Sequence, residues 1–433
     1  MTRRLTPAWL RATTAVAAAL ALPVAAHADS HAPNLSHVTI MTDLDNPWDM
    51  AFLDDRTMFF TEKCRGLSVR LPEGTVNPLD NPVNLLLGME ETEGYAETAD
   101  DLFCMGQAGM LGVAVDPDFD DNRHVYVYSA SSESDPPSNR VIRLTVNEDF
   151  TEVSDRTDII DDIPYKLSDS DHPFGGPGAH NGGRIRFGPD GYLYVTTGDN
   201  HKGEIPQSPT SLGSKVLRVD RDGNGVNADA TPDDFDPRIF AYGFRNVQGI
   251  DFRPDTGQPV IAEHGPWHSD EITALEPGGN GGWDPRPNMA GREDCPDDYC
   301  GYSPNQMEGM DPEERAAYMP MTDLETYPDA MPPAWTNNGL SQGMTPALFL
   351  TGEQWGAWDG RLLVGFMGIG FGGTAVGQRI DVIDLAEDGL SVNDVTEMPL
   401  PMPEGRFRSL VQGPDGRLYV AVDEGEIYQV TAD

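Results

Sequence analysis

Short runs of alternating apolar and polar residues recur along the chain, and Asp- and Gly-rich turns separate them. Each unit has the same order: a short apolar strand, an Asp/Gly turn and a second alternating strand. This order is typical of β-hairpins. It is found six times, at residues 51–60, 115–126, 187–194, 252–260, 358–363 and 412–419. The pattern therefore predicts an all-β protein of short strands without long helices.

One aspartate in each hairpin turn marks the phase of the repeat. The markers are spaced by 64, 72, 65, 104 and 56 residues and are Asp54, Asp118, Asp190, Asp255, Asp359 and Asp415. Each unit can form a four-stranded blade with an elaborated loop, so we predict a six-bladed β-propeller with long inter-strand loops. The alternative, a β-sandwich with similar hairpins, fits less well, because sandwiches seldom repeat one turn chemistry six times.

The longest spacing contains additional sequence between residues 278 and 340, rich in Pro, Gly, Asp and Met. We interpret this segment as a long loop insertion on one blade and not as a second domain. The chain from residue 29 to residue 433 is therefore predicted to be a single propeller domain.

The first residues have the pattern of an export signal. Arg3 and Arg4 precede an apolar run over 12–26, and a small-x-small cleavage site ends at Ala28. We predict a signal peptide over 1–28 and a periplasmic or secreted protein. The adjacent arginines leave open whether export follows the general or the twin-arginine route. No later stretch has the eighteen apolar residues that a membrane-spanning helix needs.

Net charge excludes one class of partner. The sequence contains 29 Lys+Arg and 71 Asp+Glu, which gives a formal net charge of −42 at pH 7. Nucleic acids and anionic membranes require a basic face, and we expect none where so few cations lie among so many acids. We interpret most of the acidic residues as part of a solvated surface; the alternative is that some of them bind divalent cations.

Four cysteines, Cys64, Cys104, Cys295 and Cys300, suit an oxidising compartment and allow three pairings. The short turn between the last two favours the pairs Cys295–Cys300 and Cys64–Cys104. The sequence has neither a CxxCH motif for covalent haem nor a CxxC motif for zinc. If the protein is a redox enzyme, its electrons must therefore leave to a separate carrier.

Polar residues gather in loops that lead into the predicted strands, where propeller loops converge on the central channel. Gln107 lies between glycines before an apolar strand, which also fits a simple turn. His180 lies in a glycine-rich loop with little to pack against, which favours a base over a core histidine. Arg245 and Asn246 are adjacent, and a guanidinium beside an amide suits recognition of carboxylates or quinone carbonyls.

A candidate metal site follows a strand near residue 263. The carbonyl groups of Gly265 and Pro266, with the carboxylates of Asp270 and Glu271, offer oxygen ligands for Ca²⁺. The alternative is a turn with two solvated acids. Residues 220–229 resemble a calcium-binding loop but lack its final glutamate, so we interpret them as an acidic turn.

Arg406 and Arg408 open the last repeat. Residues two apart on a strand face the same side, so the two guanidinium groups are predicted to lie together. In so acidic a chain, this pairing indicates a bound polyanion.

These segments resemble those of the glucose/sorbosone dehydrogenase family, soluble aldose sugar dehydrogenases that use pyrroloquinoline quinone (PQQ) and Ca²⁺ on a six-bladed propeller. The matching stretches run in family order over nearly the whole chain after the signal. They comprise the Arg406/Arg408 segment and residues 46–52, 106–119, 180–191, 242–249 and 263–271.

The resemblance implies a role for each candidate residue. His180 is the implied general base, and Arg245 is implied to bind the quinone and stabilise its reduced form. Main-chain carbonyls for Ca²⁺ come from Gly265 and Pro266. Four further side chains are implied to hold the cofactor: Gln107, Asn246, Arg406 and Arg408.

The implied reaction is oxidation of an aldose at C1 to its lactone, because hydride leaves C1 while a base takes the hydroxyl proton. Electrons then pass to an external acceptor of the cytochrome or quinone type. The competing class is a propeller without redox chemistry, such as a Ca²⁺-dependent lactonase or a sugar-binding protein. A lactonase would need carboxylate ligands for its metal at the channel, whereas the best Ca²⁺ motif here is mainly carbonyl.

The chain departs from better-known members of the family in three places. Residues 362–371 lack the cofactor-binding lysine of those members, which bears on PQQ affinity. Ala179 stands where an acid often precedes the base histidine, and residues 279–282 lack the family's aromatic. These two differences bear on substrate choice and on a second metal site.

Overall fold

The structure is a computed structural model that describes eight stretches of the chain. They are residues 32–78, 101–168, 176–227, 230–266, 268–285, 311–337, 339–368 and 377–433. The predicted signal peptide and the predicted Cys295–Cys300 disulfide lie outside these residues. Among the described residues, no helix has the length and apolarity needed to cross a membrane.

Six four-stranded antiparallel sheets make up the described structure, which confirms the predicted propeller. The chain enters through β1 (Leu35–Met41), which belongs to the last blade. Blade 1 comprises β2 (Pro47–Phe52), β3 (Met58–Glu62), β4 (Gly66–Arg70) and β5 (Val76–Pro78). Blade 2 comprises β6 (Met110–Val115), β7 (His124–Ser131), β8 (Ser138–Val146) and β9 (Val153–Ile163). Blade 3 comprises β10 (Ile185–Phe187), β11 (Leu193–Thr196), β12 (Lys215–Val219) and β13 (Ile239–Tyr242).

The second half of the ring follows the same order. Blade 4 comprises β14 (Val247–Phe252), β15 (Pro259–Glu263), β16 (Glu271–Ala274) and β17 (Trp335–Thr336). Blade 5 comprises β18 (Met344–Phe349), β19 (Leu362–Phe366), β20 (Arg379–Leu385) and β21 (Val392–Glu397). Blade 6 comprises β22 (Phe407–Gln412), β23 (Leu418–Val422), β24 (Glu426–Ala432) and, outermost, β1.

Helices are short among the described residues. They are α1 (Phe119–Asn122), α2 (Pro312–Tyr318) and a 3₁₀ segment over Glu353–Trp358. A capping box starts α2: the Asp311 carboxylate accepts from Glu314 N, and the Glu314 carboxylate accepts from Asp311 N. This helix lies in the 278–340 insertion, which begins after β16 and includes β17 of blade 4.

The first strand of each blade lines the centre of the ring, because each contacts the first strands of both neighbouring blades. In an antiparallel blade, the turn between the first and second strands lies at one end. The segment entering the first strand and the turn between the second and third strands lie at the other end. All six aspartate markers occupy the first type of turn. The predicted site residues occupy segments of the second type, so they share the opposite face.

Apolar side chains fill the spaces between blades. Phe59 and Val69 of blade 1 pack with Val113 and Val127 of blade 2, and all four are fully buried. Burying such a side chain stabilises the fold by about 1.5–3 kcal/mol. Between blades 4 and 5, the same role falls to Val260, Ala262, Val364 and Phe366.

A buried polar cluster joins four blades at the centre. The Asp49 carboxylate of β2 lies 2.5 Å from Arg184 Nη1 and 2.7 Å from Arg186 Nη1. It also accepts hydrogen bonds from Ser409 Oγ of β22 at 2.9 Å and from Val113 N of β6 at 3.1 Å. Burial raises the pKa of Asp49, but the two arginines outweigh burial, and the pKa lies below its ordinary value. The cluster therefore fixes blades 1, 2, 3 and 6 to one another.

One disulfide and the pairing of the N-terminal strand with the last strand connect further parts of the ring. Cys64, in the turn after β3, is bonded to Cys104, in the segment before β6, with their Cα atoms 5.3 Å apart. This confirms one of the two predicted disulfides. The N-terminal strand β1 pairs with β24 from Leu35, opposite Ala432, to Met41, opposite Ile427. Blade 6 is thus built from both ends of the described chain.

Candidate active site

His180 has a different partner at each ring nitrogen. Nδ1 lies 2.6 Å from Asp199 Oδ1, and Nε2 lies 3.1 Å from Arg245 Nη2. Asp199 is fully buried, and its second oxygen accepts a hydrogen bond from Trp283 Nε1 at 2.9 Å. A carboxylate at Nδ1 places the ring proton there, so Nε2 has the lone pair that a base requires, and this lone pair accepts from the guanidinium of Arg245. Asp199 is a site residue that the sequence interpretation missed.

Arg245 is held in the segment between β13 and β14 by groups from blade 4. Its backbone N–H donates to Glu263 Oε1 at 2.7 Å, and its Nη1 donates to the carbonyl of His264 at 3.0 Å. Burial raises the pKa of Glu263 to about 8, and Arg245 opposes this shift. The guanidinium therefore has a fixed position against the ring of His180.

A second histidine lies against the first. The rings of His201 and His180 have centroids 3.7 Å apart, and Lys166 Nζ lies 2.9 Å from His201 Nδ1. Burial lowers the pKa of Lys166 to about 8. Neither His201 nor Lys166 was identified from the sequence, because each stands without a recognisable motif around it.

The backbone around the base is strained. His180, Asn200 and His201 have φ values of 57°, 52° and 59°, in the left-handed region that non-glycine residues seldom adopt. Asn200 Nδ2 donates to the carbonyl of His180 at 3.1 Å, which holds two of these segments together. At Gly198, a Cβ atom would lie 2.0 Å from the same carbonyl, so only glycine fits there. Strain of this kind collects at functional sites.

The predicted cofactor residues Gln107 and Asn246 lie next to the His180 loop. Gln107 N donates to the carbonyl of Pro177 at 3.1 Å, and the Gln107 side chain is exposed. Asn246 Oδ1 accepts from Gly182 N at 3.0 Å, so the side chain is buried between blades 3 and 4. The structure brings both residues to the face that carries His180.

Arg406 and Arg408 share one carboxylate. Arg408 Nε and Nη2 each lie 2.7 Å from a different oxygen of Asp423, and Arg406 Nε lies 3.2 Å from Asp423 Oδ2. The arginines keep the pKa of Asp423 below its ordinary value against the effect of burial. The prediction that the two guanidinium groups lie together is correct, and Asp423 is a residue that the sequence interpretation missed.

His264 connects the two groups of cations. Burial and the nearby charges of Arg245, Arg408 and Arg406 lower the pKa of this imidazole to about 3. Its Nε2 atom is buried and has no hydrogen-bond partner among the described residues. The charges of three arginines thus act on His264, and an anionic ligand with hydrogen-bonding atoms would be favoured beside it.

The predicted calcium residues form the turn between β15 and β16. Asp270 Oδ1 accepts from Gly265 N at 2.9 Å and from Ser341 Oγ at 2.6 Å, and Oδ2 accepts from Gln342 N at 2.7 Å. Glu271 starts β16, and its Oε2 accepts from Thr322 Oγ1 at 2.8 Å. Within the described ranges, His, Cys, Asp and Glu form no group of three or more that could hold a metal ion.

Asp270 is thus engaged in shaping the turn that carries Gly265 and Pro266. A cation at this turn would depend mainly on main-chain carbonyl oxygens, which is compatible with the preference of Ca²⁺ for oxygen ligands.

Comparison with known proteins finds similarity to sugar dehydrogenases along nearly the whole described chain. The glucose/sorbosone dehydrogenase pattern matches residues 44–429. Over 406 residues the chain is 26% identical to aldose sugar dehydrogenase YliI of Escherichia coli strain K12, covering 92% of this chain and 94% of the relative. Over 302 residues it is 27% identical to quinoprotein glucose dehydrogenase B of Acinetobacter calcoaceticus, covering 64% of this chain and 57% of the relative.

A solved structure shows the same fold. The PQQ-bound aldose sugar dehydrogenase of Streptomyces coelicolor matches with a TM-score of 0.64 and 21% identity, over 92% of this chain and 99% of that one. The family pattern spans nearly all of the described propeller. The chain therefore belongs to the glucose/sorbosone dehydrogenase family.

Proposed function

We propose that this protein is a PQQ- and Ca²⁺-dependent dehydrogenase that oxidises an aldose or a related sugar at C1 to its lactone. The observation that carries the proposal is the position of Arg245, which contacts both His180 Nε2 and the carbonyl of His264. The charges of Arg245, Arg406 and Arg408 all act on His264, whose buried Nε2 has no hydrogen-bond partner among the described residues. Family membership supports the same proposal, as do the names of quinoprotein glucose dehydrogenase B and of the PQQ-bound Streptomyces coelicolor enzyme.

The donor set fits PQQ, which carries three carboxylates. Arg406 and Arg408 provide fixed cations, and Arg245 provides a guanidinium beside the base. Gln107 and Asn246 would complete the set that holds the cofactor. When bound, PQQ supplies the acceptor for the hydride that leaves C1 of the sugar.

His180 is the residue that we expect to remove the hydroxyl proton of the sugar hemiacetal. Its Nε2 carries the lone pair, which accepts from Arg245 Nη2 until the sugar hydroxyl takes that place, and the hydrogen bond from Nδ1 to Asp199 stabilises the imidazolium that forms. Arg245, 3.1 Å from Nε2, binds and orients negative charge at the same position. The sugar thus loses one hydride and one proton, and the electrons leave the protein to a cytochrome- or quinone-type acceptor.

Gly265 and Pro266 would contribute carbonyl oxygens to Ca²⁺, with Asp270 and Glu271 as the adjacent acids. The hydrogen bonds of Asp270 support a turn whose shape is fixed before any ion binds. Ca²⁺ held there would add positive charge near the cofactor.

Reconstitution tests the function directly. The purified protein, stripped of bound cofactor, is incubated with PQQ and Ca²⁺ and then given a panel of sugars with an artificial electron-accepting dye. We expect sugar-dependent bleaching of the dye that requires both additions. Absence of bleaching with every sugar, together with hydrolysis of lactones, would contradict the dehydrogenase and favour a lactonase; absence of both would leave a sugar-binding propeller.

We also propose that the protein is exported and cleaved near Ala28. The Cys64–Cys104 disulfide supports this location, because structural disulfides persist in oxidising compartments. Mass spectrometry of the protein from the periplasm or medium would give the start of the processed chain, and a full-length chain confined to the cytoplasm would contradict the proposal.

A further inference from the structure

Lysine is rare in this protein. The sequence has four lysines, and the structure leaves none of them exposed: Lys63, Lys166, Lys202 and Lys215. The Nζ atom of Lys215 donates to three carbonyls and has a structural role, and Lys166 lies beside His201. Lys63 has no role in the chemistry described so far, yet it lies on the face that carries the candidate site.

The backbone holds Lys63 in one place. It lies in the turn between β3 and β4, where its N–H donates to the carbonyl of Asn46 at 3.1 Å and its carbonyl accepts from Met110 N at 3.0 Å. At Gly109, a Cβ atom would lie 2.3 Å from the same carbonyl, so blade 2 approaches this turn as closely as glycine permits. The neighbouring Cys64 is bonded to Cys104 of the same approaching segment. This turn is therefore fixed before any ligand binds.

The ammonium group lies between two parts of the proposed cofactor site. Lys63 Nζ donates to the carbonyl of Gly106 at 2.9 Å, directly before Gln107. Burial lowers the pKa of Lys63, the charge of Arg408 lowers it further, and the carboxylates of Asp423 and Asp45 oppose both effects, so the ammonium lies within the field of Arg408 and its partner Asp423. Lys63 is half-buried.

Charge makes this placement unfavourable in the ligand-free protein. The charge of Arg408 acts on Lys63, and Arg408 shares the carboxylate of Asp423 with a second cation, Arg406. Placing a third cation near such a pair raises the free energy of the apoprotein, and a bound polyanion lowers it again. The arrangement is therefore suited to a ligand with several carboxylates.

We propose that Lys63 is a further cofactor-binding residue, which supplies a third cation to the carboxylates of PQQ between the Gln107 loop and Arg408. This inference rests on the proposed function, because it takes PQQ as the ligand of the site.

The experiment titrates the apoprotein with PQQ at saturating Ca²⁺ and follows the quenching of tryptophan fluorescence. We expect Lys63→Met to raise the Kd for PQQ about tenfold and Lys63→Arg to keep it within about threefold of the parent. Lys63→Gln removes the charge but keeps a donor for the Gly106 carbonyl, and we expect it to bind as weakly as Lys63→Met. The matched control is Arg70→Met, which removes one cation at the opposite end of β4.

Salt dependence separates a charge contact from a structural effect. The Kd of the parent should rise more steeply with ionic strength than that of Lys63→Gln, because the variant makes one fewer ionic contact. If the parent binds PQQ and Lys63→Gln binds with the same Kd and the same salt dependence, the role of Lys63 is refuted while the proposed function stands. If the parent itself does not bind PQQ, the proposed function fails and this inference with it.

Discussion

The chemistry of the site depends on how single side chains are held. The two nitrogens of His180 face a buried carboxylate on one side and a guanidinium on the other, so the imidazole has one orientation and one tautomer. A glycine-rich loop alone would leave such a ring free to rotate. The hydrogen bond to Asp199 is therefore as important for the proposed base as the histidine itself.

Replacing His180 tests the role of the base. We expect His180→Ala to lower turnover by roughly 10²- to 10⁴-fold while PQQ remains bound, because the variant loses the proton acceptor and keeps the cations. Single-turnover reduction of the reconstituted protein by sugar measures the chemical step, and fluorescence titration measures binding.

Asp199→Asn is the companion variant, because an amide can donate to Nδ1 and so move the ring proton to Nε2. Its turnover should fall without loss of PQQ binding. Trp283→Phe, which removes one hydrogen bond to Asp199 without changing its charge, should have a much smaller effect. A His180→Ala protein that binds PQQ much more weakly than the parent, but turns over normally once it is loaded, would identify His180 as a structural ligand.

Substitutions of Arg406 and Arg408 test whether this pair binds the cofactor. Arg406→Ala and Arg408→Ala should each weaken PQQ binding at least tenfold, because a carboxylate of the ligand loses a charge partner. Arg408→Ala should also lower the free energy of unfolding by about 3–5 kcal/mol, since it leaves the carboxylate of Asp423 with a single weaker partner.

Titration with PQQ and urea denaturation measure the two effects of these arginine substitutions separately. Lysine at either position restores the charge but not the forked geometry, so Arg408→Lys should recover only part of the loss. If both alanine variants bind PQQ as tightly as the parent, the cofactor does not contact this pair.

Some of these residues were predictable from the sequence and others were not. His180 stands out because glycines surround it, and Arg406 and Arg408 because their spacing places them on one side of a strand. Asp199 and Asp423 carry no such local mark; each becomes a site residue only when the fold brings it to its partner. One aspartate among the 71 acidic residues of the chain cannot be distinguished before that contact is known.

At the scale of elements, the hairpins were predictable and their connections were only partly so. An Asp/Gly turn between two short apolar runs determines the pairing of the first and second strands, as at Asp54 between β2 and β3. The outer strands depend on packing against neighbours: β17 has two residues and lies near the end of the long insertion, so its sequence alone does not mark it.

The Cys64–Cys104 disulfide connects the turn after β3 to the segment before β6, across 40 residues of sequence. Replacing both cysteines by serine should lower the free energy of unfolding by about 2–4 kcal/mol, because the unfolded chain gains conformational freedom. PQQ binding should weaken as well, because this link fixes the Gln107 loop beside Lys63. Denaturation and titration of the double variant measure both effects; unchanged stability would show that the packing of blades 1 and 2 suffices.

The whole molecule depends on polar contacts at its centre as well as on apolar packing between blades. Asp49 connects four blades, and its arginine partners would be buried and uncompensated without it. At pH 7, Asp49→Asn should therefore lower the free energy of unfolding by about 3–5 kcal/mol.

The pH dependence of this loss has a defined sign. The folded pKa of Asp49 is depressed, so its contribution is present above the ordinary value of 3.8 and is lost as the pH falls through the lower folded pKa. The difference between parent and variant should thus be constant near neutrality and shrink only below pH 3.8. Denaturation at a series of pH values measures it, with the exposed Asp149→Asn as control. A difference that is already small at pH 7 would show that the cluster does not hold the ring together.

Blade 6 combines strands from both ends of the described chain, so the order of the strands in the sequence can be changed without changing their pairing. Asp433 N donates to the carbonyl of Asn34 at 2.8 Å, so the two ends of the described structure are neighbours. A short linker between them would replace one surface contact by a covalent connection, and the ring could then be opened elsewhere, for example at the exposed Glu148–Asp149 turn between β8 and β9. Such a circular permutant would keep every strand pairing while placing its new termini on blade 2. The position of the chain ends is therefore a detail of this propeller and not a condition of its architecture.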